Sequence, residues 1–272
     1  MQTRPPEDFD YYEALAILEW QVELGADEAI CEAPLDCYAL PDKIEPVRAP
    51  VTTPERGAKP VAPVVAQAAQ QGPDPVSVAR EAAGRCETLE ALAEAMDAFD
   101  LCDLKKGARQ TVFADGNPKA RLMIIGEAPG RDEDLQGKPF VGRAGQLLDR
   151  MFGAIGLSRT APDAEAALYI TNTLPWRPPG NRDPEPDELA MLLPFLRRHV
   201  ELADPDVIVL MGNAACAAVL GKRGILRLRG QWVEACGKPC LPMTHPAYLL
   251  RNAAAKREAW ADLLEIRARL GG

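Results

Sequence analysis

Three polar residues stand where apolar runs end. Glu127 follows ARLMIIG (120–126), Asn172 closes AALYITN (166–172), and His245 closes KPCLPMTH (238–245). Singly, each has an ordinary structural reading as a turn former or cap. Together they bring a carboxylate, an amide and an imidazole to three strand exits, a set better suited to chemistry than to packing. The first exit continues as GEAPGRDEDLQGKPFVGRAGQLL. Its glycines let backbone approach a ligand closely, and it carries Glu133, Asp134 and Phe140. The second continues as TLPWRPPGNRDPEPDEL, a stiff loop whose Arg177 and Arg182 suit phosphate contact. The third runs on through PAYLLR, placing Leu249, Leu250 and Arg251 just beyond His245. The only other histidine, His199, lies in the charged stretch LRRHVE and is expected at the surface.

These exits need a scaffold. A fourth apolar run, DVIVLMGN (206–213), joins the other three, and helical stretches at 142–156, 185–203, 213–221 and 253–270 lie between or after them. Strand–helix alternation at this spacing predicts an α/β fold, a central four-stranded parallel sheet in a three-layer α/β/α sandwich. Ligands of such sheets sit beyond the carboxyl ends of the strands. Residues 75–99 read as one or two further helices. Upstream, Tyr11, Leu15, Leu18 and Val22 space like one helix face within an acidic segment, 1–40. Residues 41–75 are rich in Pro, Ala and Gln and read as a linker. The expected organisation is therefore an acidic N-terminal segment, a linker and a domain over 76–272.

The 272 residues carry a net charge of −9, unevenly placed. Residues 1–75 hold 14 acidic and 5 basic side chains, and the remainder holds 26 of each. The domain is thus neutral and free to present a local basic face. No apolar run is long enough to cross a bilayer, and the N-terminus has no signal-peptide pattern. Seven scattered cysteines read as reduced thiols, so a cytoplasmic protein is expected.

The exits and their loops resemble the family 4 uracil-DNA glycosylases. The resemblance rests on GEAPGRDEDLQGKPFVGRAGQLL, YITNTLPWRPPGNRDPEPDE, ILRLRGQW and MTHPAYLLR, in order, over roughly residues 85–270. It implies a monofunctional DNA repair enzyme that flips uracil out of DNA and hydrolyses its N-glycosidic bond. A side-chain amide matches uracil's N3–H donor and O4 acceptor, which suits Asn172. Phe140 suits stacking on the flipped ring. The resemblance places Glu133 near C5, against thymine's methyl group, and Ala128 where related glycosylases carry a water-orienting Asp. His245 is the candidate donor to O2, where charge develops, and Glu127 or Asn181 is left to position the water. Leu249, Leu250 and Arg251 offer a wedge for the gap in the duplex. Arg177, Arg182, Arg227, Arg229, Lys256 and Arg257 are candidate phosphate contacts.

The family resemblance also implies a four-iron, four-sulfur cluster on four cysteines. Here Phe99 and Trp176 occupy two of the ligand positions, and only Cys102 remains. Clusters need thiolates at defined spacing, so the expectation is no cluster and no metal, with apolar packing in its place. The sequence also lacks the basic, His-containing insertion of covalent uracil-trapping relatives, so ordinary turnover is expected. The expected partner is uracil-containing DNA, single- or double-stranded, with no membrane and a monomeric protein. The alternative is a non-catalytic DNA-binding or repair-scaffold module of the same fold. A nucleotide-hydrolysing enzyme is disfavoured, because the lysine and Ser/Thr of a P-loop are missing.

Overall fold

The computed structural model describes residues 74–271. The acidic helix expected near the N-terminus and the linker up to residue 73 lie outside them. The first described helix, α1 (Pro75–Gly84), opens on an Asp74 side chain that accepts from the Val76 and Ser77 amides, with proline at its first position. A second helix, α2 (Leu89–Asp97), is capped by Thr88, and a short turn of helix, α3 (Leu104–Gly107), follows.

Six strands form one sheet: β1 (Ala114–Gly116), β2 (Leu122–Gly126), β3 (Leu168–Asn172), β4 (Val207–Met211), β5 (Val233–Ala235) and β6 (Lys238–Met243), in the order β1-β3-β2-β4-β6-β5. The inner four are parallel and are the four apolar runs of the sequence. They extend the expected four-stranded sheet to six, because β1 and β5 pair antiparallel at the edges. Three residues each, ADG and VEA, none of them fully buried, give these edge strands too little apolar pattern to be read from sequence.

Alternate residues of each inner strand enter different cores, as a two-residue period requires. Leu122, Ile124, Leu168, Ile170, Val207, Val209 and Leu241 face one layer. That layer contains α5 (Arg143–Gly153) and the C-terminal α10 (Lys256–Gly271). Met123, Ile125, Tyr169, Ile208, Leu210 and Cys240 face the other. Its helices are α6 (Pro186–Ala203) and α7 (Gly212–Leu220). The remaining helices, α4 (Arg131–Gln136), α8 (Ile225–Leu228) and α9 (Pro246–Arg251), are short and lie in the connections.

His199 is not at the surface. It is 1% exposed, accepts or donates at 2.8 Å with the Tyr169 hydroxyl, and stacks on Phe113 at 4.3 Å between centroids. Burial pulls its pKa down to about 3. The charged flanks Arg197, Arg198 and Glu201 occupy the outer face of α6. Leu192, Phe195, Leu196, His199 and Val200 form its inward stripe at helical spacing.

Behind the second exit, Phe99, Cys102, Leu92, Trp176, Leu192 and Phe195 pack into one apolar cluster. Phe99 meets Phe195 edge to face at 5.4 Å, and the buried Trp176 donates its indole N–H to Thr111 at 3.1 Å. No helix among the described residues is long and apolar enough to cross a membrane.

Candidate active site

Parallel strands β2, β3 and β6 end at the same edge, which brings their polar exits together. A cavity of about 480 Å³ lies there, lined by Glu127, Ala128, Glu133, Phe140, Asn181 and His245 among others. Gly126 pairs with Asn172 across β2 and β3. A Cβ at Gly126 would run into both the Asn172 amide oxygen and the Phe140 ring, so glycine is what allows amide and ring to meet.

Asn172 is 8% exposed, and both its amide oxygen and its amide nitrogen are buried without a hydrogen-bond partner among the described residues. Leaving one such group unpaired costs roughly 1–3 kcal/mol. Two on one side chain call for a partner beyond the protein's own groups, water or a ligand.

His245 caps α9, its Nδ1 accepting from the Ala247 amide at 3.2 Å. The proton of a neutral ring is therefore on Nε2. Burial, helped by the nearby positive Arg251, lowers its pKa to about 4, so the ring is neutral at pH 7. Phe140 lies 5.4 Å from it between ring centroids, tilted by 30°.

Glu127 is raised above the usual carboxylate range, first by burial and then by the neighbouring charge of Asp183, against a smaller opposing effect of Arg223. Neither Asp183 nor Arg223 is singled out by the sequence pattern. Both lie in polar loops, and only the tertiary fold aims them at Glu127. Asn181 sits at the cavity mouth in left-handed backbone (φ 53°), its side-chain oxygen accepting from Arg177 Nε at 2.8 Å.

Several expected contacts are placed differently. Glu133 lines the cavity, but its carboxylate accepts from the amides of Gly130 (3.1 Å), Val141 (3.0 Å) and Gly142 (2.9 Å). It staples two loops together, and its freedom to act on a base substituent is small. Leu249 is 1% exposed and belongs to the core, so it is not a wedge. Successive helical residues point about 100° apart, and in α9 the residue that projects is Leu250, 39% exposed. Arg182 lines the cavity with its guanidinium on Glu188, at 2.6 and 3.0 Å. Arg229 is held by the buried Asp262 and is withdrawn as a phosphate contact. Arg251 lines the cavity and is exposed, and Arg177 is half-buried and bonded to Asn181.

Residues 113–264 match the sequence profile of the uracil DNA glycosylase superfamily. The chain belongs to that superfamily. It is 39% identical to a type-4 uracil-DNA glycosylase of Archaeoglobus fulgidus over 66% of this chain and 92% of that protein. Against the type-4 enzyme of Thermotoga maritima the identity is 38%, over 62% and 86% of the two chains. A DNA polymerase of Bacillus phage SP01 is 30% identical over 55% of this chain, which spans 16% of the polymerase.

These relatives correct one expectation. They are type-4 enzymes, the group to which the sequence resemblance attaches an iron–sulfur cluster, so the cofactor-free assignment is withdrawn. The described residues at the corresponding place offer the buried thiol of Cys102 among apolar side chains. No chemical step below is routed through a cluster.

Proposed function

We propose that the domain from residue 76 onward binds uracil-containing DNA and hydrolyses the N-glycosidic bond of a flipped deoxyuridine, leaving an abasic site without cutting the strand. The unpartnered amide of Asn172 carries this reading. Its oxygen accepts from uracil N3–H and its nitrogen donates to O4. A scaffold that only binds DNA gains nothing from leaving two buried polar atoms unpaired.

Phe140 stacks on the flipped ring, a contact worth roughly 1–3 kcal/mol. As the bond from C1′ to N1 lengthens, its electron pair moves onto uracil and charge builds at O2. His245 meets that charge with its Nε2–H as a neutral donor, its Nδ1 being occupied by the Ala247 amide. A donor so placed typically contributes about 3–4 kcal/mol in the transition state. Water adds to C1′ on the opposite side and gives up a proton. Glu127 suits that role better than Asn181. Its carboxylate has no hydrogen-bond partner among the described residues, whereas the Asn181 oxygen is committed to Arg177. Asn181 then shapes the mouth. Ala128 lines the cavity beside Glu127 and leaves space for the water.

On the duplex, Leu250 enters the gap left by the base, and Arg251 and Arg177 reach phosphates. The protein works as a monomer in the cytoplasm. The test is chromatographic. Incubation with uracil-containing single strands and U·G duplexes should release free uracil, with the strand intact until alkali is added. Tight binding with no uracil released would leave the scaffold reading in its place.

A further inference from the structure

The aromatic ring of the site is held by backbone that resists it. Phe140 has φ 53°, a left-handed conformation unfavourable for a bulky residue. It stays there under constraint from two sides. A Cβ at Gly145 would collide with the Phe140 carbonyl, so α5 presses directly against this peptide. From the other side comes Arg159, which follows α5 and whose side chain is only 10% exposed. Its Nη1 donates to the Pro139 carbonyl at 2.8 Å and its Nη2 to the Phe140 carbonyl at 2.9 Å. The same guanidinium is fixed by Asp149 on α5 (Nε, 2.8 Å) and Asp115 on β1 (Nη1, 3.1 Å).

We infer that Arg159 is a positioning residue for base excision, holding Phe140 where its ring can stack on the flipped base. This rests on the uracil-excision reading above. Arg159 does not line the cavity and acts only through the peptide it grips. The planar fork matters. Four acceptors are arranged around one guanidinium, and a lysine ammonium, a point charge on a flexible stem, cannot reach them together. Without the fork, the Phe140 peptide relaxes from left-handed backbone and the ring leaves the cavity wall.

The test is a double-mutant cycle on single-turnover excision from a U·G duplex, with Arg159→Gln, Arg159→Lys, Phe140→Ala and the Phe140→Ala/Arg159→Gln pair. Arg159→Gln should slow excision about tenfold with DNA affinity near the wild-type value. In the Phe140→Ala background the same change should add less than about twofold, and Arg159→Lys should stay slow. Equal slowing with and without the ring, or none, would overturn the inference. If Arg159→Gln fails to fold, Asp149→Asn, an exposed partner of the fork, takes its place in the cycle. Hydrogen exchange of residues 138–142 separates this inference from the one beneath it. Faster exchange in Arg159→Gln, beside a wild-type protein that releases no uracil, keeps the clamp and removes the excision reading. Unchanged exchange removes the clamp.

Discussion

On strand β3, two of the buried polar side chains, Tyr169 and Asn172, have opposite surroundings. Tyr169 faces α6, where its hydroxyl meets His199 and its ring stands edge-on to the imidazole at 5.4 Å. Asn172, at the strand's end, has an amide with both atoms unpaired. The first arrangement is complete within the protein and needs nothing further. The second has no partner among the described residues. The two histidines divide in the same way. His199 is spent on a core contact, while His245 lines the cavity with its Nδ1 bound to its own helix. Burial keeps both neutral, so the difference between them lies in hydrogen-bond partners rather than in charge.

The largest effect should come from the incomplete side. His245→Ala removes a donor that acts more strongly in the transition state than in the ground state. It should slow single-turnover excision by about a hundredfold or more while leaving DNA affinity nearly unchanged. A variant that folds, binds and cleaves at the wild-type rate would place His245 with His199 among structural residues. The pH profile sharpens the same point. With His245 neutral down to about pH 4, the rate should show no inflection near 6.5. Its acid limb should instead follow Glu127, above the usual carboxylate range, and disappear in the much slower Glu127→Gln.

On the complete side the effect is on stability. The unfolded chain takes up a proton on His199 near pH 6.5, whereas the fold resists it to about pH 3. Stability held above 6.5 is therefore lost progressively as pH falls from 6.5 toward 3, by at most about 1.4 kcal/mol per unit from this residue. Chemical denaturation at a series of pH values should give a shallower acid slope for His199→Gln, with excision at pH 7.5 largely retained. The smallest effect is expected at the duplex. Leu250→Ala should slow excision a few-fold from a U·G duplex and hardly at all from single strands. Leu249→Ala, a core truncation, should instead lower stability by about 2–5 kcal/mol.

Much of the fold and of the site is legible in the sequence. The inner strands are legible because short, largely apolar runs, buried on both faces over most of their length, stand out between polar loops. Glu127, Asn172 and His245 are legible because they interrupt such runs at the edge where ligands bind. What is not legible depends on direction. Sequence places Leu249 and Leu250 together, but only the packing of α9 decides which turns inward. It places Glu133 among the site residues, yet its three amide contacts come from loops that approach in space. His199 looked solvated by its charged neighbours, and only the inward stripe of α6 shows otherwise. The cluster positions show a different limit. Counting cysteines describes one pocket of side chains, but does not settle what a family member carries.

Base reading depends most directly on the Asn172 amide. The deciding measurement is single-turnover release of the base from matched duplexes with U, T or C opposite G, by the wild-type protein and by Asn172→Ala. The prediction is rapid release of uracil alone by the wild type, and loss of most of that rate in the variant, with its preference for uracil over cytosine and thymine diminished. An Asn172→Ala protein that releases uracil as fast and as selectively as the wild type would contradict the claim that this unpartnered amide reads the base.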